Sequence, residues 1–150
     1  MRILAIDPGT KRIGLAASDE LHLTIRALPV LEATGLAQSA ERLAKLIREE
    51  NFQKVLVGHP LNMDGSVGAA AESAEKIAAA IRSELGKLKH ACEVLLWDER
   101  LTSFEAEQRL RERGLAKAKA KAFLDSIAAE VLLEDYLHTT EPSQSDEEES

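Results

Sequence analysis

The sequence predicts an α/β protein built on one mixed five-stranded sheet, its first three strands antiparallel, with helices packed on it. Three observations carry that expectation. An apolar run near the N-terminus ends in Asp-Pro-Gly-Thr; two short β-rich segments follow; apolar strands then alternate with segments whose apolar residues recur at helical spacing. With 150 residues and 45% hydrophobic content, the chain has the size of one compact domain. Three Phe, one Trp and one Tyr leave the core to Leu, Ile, Val and Ala. Small residues of that kind let elements approach closely.

Arg2 to Asp7 reads as the first strand, closed by the turn residues Pro8 and Gly9. Ile13 to Ser18 supplies the second strand and Leu21 to Leu31 the third, an antiparallel meander. Leu36, Ala40, Leu43 and Ile47 then recur at helical spacing with charged residues between them, so residues 36–50 form an amphipathic helix. Lys54 to Gly58 is a buried strand stopped by Pro60, residues 61–68 are a glycine-containing loop, and Ala74, Ile77, Ile81, Leu85 and Leu88 mark a second helix. Glu93 to Trp97 is the fifth strand, which crossover logic sets beside the first and parallel to it. Thr102 and Glu105 form a capping box for a helix running to Arg113 and ended by Gly114. A basic linker, residues 115–121, leads to a last helix at about 122–138. Residues 1–138 are thus expected to form one folded domain, and 139–150 an acidic disordered tail.

The formal charge of -7 argues against a nucleic-acid partner only until its distribution is considered. Glu141, Asp146, Glu147, Glu148 and Glu149 account for most of it, leaving 21 acids against 19 bases in residues 1–138. The folded part is nearly neutral. The single cysteine, Cys92, excludes an internal disulfide and, in its apolar stretch, reads as an inert buried thiol. No apolar run reaches membrane-spanning length and no signal-like segment opens the chain, so a cytoplasmic location is expected.

Asp7 ends a strand expected at the centre of the sheet, where a carboxylate is costly unless compensated, as by a metal ion. A turn-forming Asp that bonds its own backbone is the plain alternative. Asp98 and Glu99 end the fifth strand at the same carboxyl edge, and because side chains alternate across a sheet, one of the two should face Asp7. Asp125 shares a helical face with Ala128, Ala129 and Leu132, the apolar side, whereas an ordinary first-turn acid is its plainer reading. Three carboxylates without His or Cys suit hard cations, Mg²⁺ or Mn²⁺. Two such ions about 4 Å apart would serve in-line displacement at a phosphodiester.

Lys11 and Arg12 in the first hairpin, and Arg100 beside Glu99, offer phosphate contacts near those acids. Arg109, Arg111, Arg113, Lys117, Lys119 and Lys121 form a basic stretch interrupted by one acid, Glu112. Alone it would be a solvated face; beside an acidic metal site it reads as contact to a nucleic-acid backbone. His22, His90 and His138 read as surface residues, and His59 as a structural histidine or a residue at the site's edge.

The segments Ile6 to Ala16, Val57 to Gly65 and Asp98 to Ser103 together resemble the YqgF (RuvX) family, in order and spacing from Met1 to about His138. Members of that family have an RNase H-like fold and are described as Holliday junction resolvases and as nucleases maturing the 5′ end of pre-16S rRNA. The resemblance implies catalytic, metal-binding acids at Asp7, Glu99 and Asp125, selecting Glu99 over Asp98. It implies nucleic-acid partners, precursor rRNA or branched DNA, with ribosomal particles among them, and leaves the oligomeric state open. One departure is visible: His59 stands where Leu is usual, next to the loop that carries Asn62 and Asp64.

Two other classes compete. Asp-x-Gly-Thr after a first strand also resembles the phosphate hairpin of actin-like and sugar-kinase ATPases, but this chain has one expected domain and no second glycine-rich phosphate segment. A catalytically silent nucleic-acid binding module is the other, and retention of all three acids weighs against it.

Overall fold

A computed structural model describes residues 1–98 and 117–140, the side chains of 117–126 and of 140 excepted. Strand β1 (Ile3–Pro8) is buried from Ile3 to Ile6, as an apolar run covered on both faces requires. It pairs antiparallel with β2 (Arg12–Ser18), which pairs antiparallel with β3 (Ile25–Glu32). Helix α1 (Leu36–Glu49) returns the chain so that β4 (Lys54–His59) joins the other edge of β1 in parallel. Helix α2 (Ala69–Lys87) does the same for β5 (Glu93–Asp98), which pairs with β4. The order is β3-β2-β1-β4-β5, and a long helix α3 (Lys117–Thr140) completes the described elements.

Alternation along the strands separates two cores. Leu4, Ile6, Leu15, Val55, Val57 and Val94 pack beneath α1 and α2, meeting Leu43, Ile47, Ile77 and Ile81. Ile3, Ala5, Ala16 and Leu56 face the other way and pack with Ala129, Leu132, Leu133 and Tyr136 of α3. Each fully buried Leu or Ile contributes about 2 kcal/mol relative to exposure. The C-terminal part of α3 is tied down by polar contacts as well. Lys54 Nζ donates to the Tyr136 hydroxyl at 2.7 Å, and the Trp97 indole donates to the Asp135 carboxylate at 2.8 Å. The hydroxyl bond raises the Lys54 ammonium above its usual range, more than its burial lowers it. Trp97 and Tyr136 meet edge to face at 5.0 Å.

The structure corrects the expected layout in three places. β5 does not lie beside β1, because α1 delivers β4 to the free edge of β1 first and β5 adds outside it. The third strand starts at Ile25, four residues later than expected. Asp19 accepts the amides of Leu23 (2.7 Å) and Thr24 (3.1 Å), which turns that segment into a loop and leaves Leu21 and Leu23 exposed. The Thr24 amide, first among these contacts, holds the Asp19 carboxyl below its ordinary value. Residues 117–121 are helical within α3 rather than a linker. The helix expected over 102–113 and the tail beyond residue 140 lie outside the described residues.

Among the described residues, no helix is long and apolar enough to cross a membrane. Cys92 sits just before β5, half-buried, and burial pushes its thiol up to about 11. About one thiol in a thousand is then ionised at pH 8, so alkylation by iodoacetamide is expected to run about two orders of magnitude slower than for free cysteine. A rate equal to that of free cysteine would contradict this environment.

Gly9 closes the β1–β2 turn, and a Cβ there would meet the Arg12 carbonyl oxygen at 2.3 Å. Gly9→Ala is expected to lower the unfolding free energy in urea by about 2 kcal/mol. Gly86→Ala, in open space on α2, should instead raise it by up to about 1 kcal/mol.

Candidate active site

Asp7 is the penultimate residue of β1. By alternation it shares the face of Ile3 and Ala5, the face that α3 covers, and its side chain is half-buried at the carboxyl edge of the sheet. Its neighbours on both sides are glycines. Gly14 of β2 is its register partner, and Gly58 of β4 stands one residue past the pair Ile6 and Val57. Gly58 is in turn opposite Trp97 of β5. The row across the sheet therefore reads Gly14, Asp7, Gly58, Trp97, and both glycines are buried.

Directly opposed residues on one face bring their Cβ atoms to about 5 Å, so side chains at 14 and 58 would crowd the Asp7 carboxylate. Glycine in a strand interior weakens it and marks a place where another backbone or a ligand comes close. Neither glycine was singled out from sequence. The available signal was a glycine within each apolar strand pattern, Ile-Gly-Leu and Val-Gly-His.

Trp97 shares the α3 face with Leu95, whereas Val94 and Leu96 belong to the α1/α2 core. Asp98 has the parity of Val94 and Leu96, so it lies on the opposite face from Asp7 and is exposed. Glu99 lies outside the described residues. The backbone of Asp125 lies within α3, one turn before the fully buried Ala129, and its side chain is outside the described residues. Among the described residues no three His, Cys, Asp or Glu gather at one point.

Arg12 opens β2 with the parity of Gly14, on the Asp7 face, and is half-buried. Lys11 is exposed at the hairpin tip, its carbonyl accepting the Ala33 amide at 3.0 Å. Lys117, Lys119 and Lys121 have helical backbone in α3; Arg100, Arg109, Arg111 and Arg113 lie outside the described residues.

His59 has the parity of Val57 and turns away from Asp7. Its Nε2 lies 2.8 Å from Oε2 of Glu75 on α2, which makes it a structural tie between the end of β4 and that helix. The loop that follows is held by its own side chains. Asn62 donates to Ser66 Oγ (2.9 Å), Asp64 accepts from both the amide and the hydroxyl of Ser66, and Gly65 takes φ +87°. His90 bonds the Phe52 carbonyl and His22 the Met1 carbonyl, while His138 is exposed.

Comparison with known proteins places this geometry in a family. Residues 1–139 match the family model described as "RuvX: Holliday junction resolvase". Several curated relatives carry the name "Putative pre-16S rRNA nuclease". That of Opitutus terrae is 42% identical over 137 residues (91% of each chain), and that of Anaeromyxobacter dehalogenans strain 2CP-C is 39% identical over 142 residues (95% of this chain, all of the relative). That of Halalkalibacterium halodurans is 37% identical over 139 residues, 91% of this chain and 96% of the relative.

Among solved structures, T. thermophilus RuvC in complex with a Holliday junction superposes with a TM-score of 0.58 at 15% identity, covering 93% of this chain and 96% of that one. The fowlpox virus Holliday junction resolvase gives 0.55 at 16% identity, covering 93% and 99%. At such identities the likeness concerns the fold, which is RNase H-like as the sequence motifs implied. With a family match over nearly its whole length and relatives at about two-fifths identity, the chain belongs to the RuvX family.

Proposed function

We propose that this protein is a metal-dependent endonuclease that hydrolyses phosphodiester bonds in the 5′ maturation of pre-16S rRNA, acting on ribosomal particles in the cytoplasm. The observation that carries the reading is Asp7: a half-buried carboxylate at the carboxyl edge of the central strand, flanked on its own face by Gly14 and Gly58. An oxygen donor whose neighbours on its own face carry no side chains fits a hard cation together with a phosphate backbone. The names of relatives matched over nearly their full lengths support the choice of RNA.

In this reading Asp7, Glu99 and Asp125 hold two Mg²⁺ or Mn²⁺ ions. Asp98 has the parity of the face opposite Asp7, which leaves the next acid of the motif, Glu99, as the candidate. Asp125 precedes Ala129 by one turn and Leu132 by two, residues of the core that also contains Ala5. When bound, the ions supply Lewis-acid stabilisation of charge on the phosphate oxygens. Lys11, Arg12, Arg100, Arg109, Arg113, Lys117, Lys119 and Lys121 neutralise flanking phosphates.

A second reading, resolution of Holliday junctions, is favoured by the description of the matching family model. The two separate in a side-by-side assay on a 16S rRNA precursor and a four-way DNA junction, with Mg²⁺ and then Mn²⁺. Cutting of the precursor is expected; junction resolution without RNA processing would overturn the preferred substrate. Asp7→Asn, Glu99→Gln and Asp125→Asn should each lower cleavage by at least about a hundredfold, while Asp98→Asn stays within a few-fold of the parent. If the three variants cut as well as the parent, the site assignment is wrong.

A further inference from the structure

On the face of the sheet opposite Asp7, the turn that follows it borders a cleft of about 320 Å³ between α1 and α2. Ile13, Leu36 and Ile77 supply apolar lining, and Thr10, Ser73 and Lys76 add polar groups. Leu36 is the first residue of the α1 stripe, yet it stays 48% exposed, because it faces this cleft and not the core. Among the described lining residues Lys76 is the single charged side chain, and no acid is present, in a chain of net charge -7. Pro8, Gly9 and Thr10 lead from Asp7 into the cleft, a span of at most about 10 Å.

We propose that this cleft receives one unpaired nucleotide of the substrate strand, next to the bond cut at Asp7. The inference rests on the nuclease reading and adds a substrate feature to it. An apolar floor accepts the face of a base, hydroxyls and Lys76 suit the sugar and phosphate, and the volume admits a single nucleotide but not a base pair. A strand running over the carboxyl edge of the sheet thus presents its backbone to Asp7 on one face and a neighbouring base to the cleft on the other. Paired substrate cannot do this without opening, so the cleft selects cleavage points flanked by single strand.

The test is amide chemical-shift mapping on the full chain in EDTA, which separates binding from cutting. The probes are a single-stranded RNA decamer, the same sequence as a duplex, and uridine 5′-monophosphate. The decamer should shift the amides of Thr10, Ser73 and Lys76, and the duplex should leave them in place. Ala70→Phe, which fills the cleft from an exposed position on α2, should weaken decamer binding about tenfold without changing duplex affinity. Lys76→Ala should reduce the salt dependence of log K by about one phosphate contact. Ser73→Phe repeats the filling test if Ala70→Phe folds poorly.

Unmoved cleft amides, equal shifts from the duplex, or parental decamer binding by a folded filled-cleft variant would each overturn the proposal. So would mononucleotide binding as tight as the decamer, since the cleft would then serve a free nucleotide. Loss of the nuclease reading gives a different result: cleft amides that respond to the decamer while no bond is cut when Mg²⁺ is restored.

Discussion

The architecture depends on one constraint, that β1 is hydrogen-bonded on both edges and covered on both faces. β2 and β4 flank it, α1 and α2 cover Leu4 and Ile6, and α3 covers Ile3 and Ala5. A strand so enclosed must be apolar until it reaches the sheet's edge, and its first polar side chain is Asp7. The carboxylate therefore inherits a position fixed by two hydrophobic cores. Positional accuracy of this kind is what ligand chemistry requires and what a surface loop would not supply.

The enclosed strand also explains why the glycines lie where they do. A residue at 14 or 58 with a side chain would pack on the α3 face and compete with Asp7 for the same volume. Glycine costs each strand some stability and puts no side chain beside the acid. Turn chemistry adds a second restriction, because the Gly9 backbone passes so close to Arg12 that a Cβ has no place. From Asp7 to Gly14 the chain is therefore limited by approach distances, with both ends on the α3 face of the sheet and the turn between them bordering a cleft on the other.

Much of this was legible in the sequence, and the parts that were not share a cause. Apolar runs and helical spacing identified five strands, both flanking helices and the central position of the first strand, since these depend on local periodicity. The place of β5 outside β4 depends on which edge each crossover reaches, and nothing in residues 93–98 encodes it. The late start of β3 turned on one side chain, Asp19, whose bonds to Leu23 and Thr24 override an apolar pattern. At the site, alternation alone left Asp98 and Glu99 open; observed parity puts Asp98 on the far face. His59 was ambiguous because its partner, Glu75, is sixteen residues away on another element.

These details come together in the proposed function, in which Asp7 anchors a cation site on the α3 face of the sheet. The most direct measurement is anomalous scattering at the manganese edge from crystals of the protein equilibrated with Mn²⁺. The account predicts a peak about 2.1 Å from an Asp7 carboxylate oxygen, between the planes of Gly14 and Gly58. A peak at Asp98 on the opposite face, or none near Asp7 at saturating Mn²⁺, would contradict it.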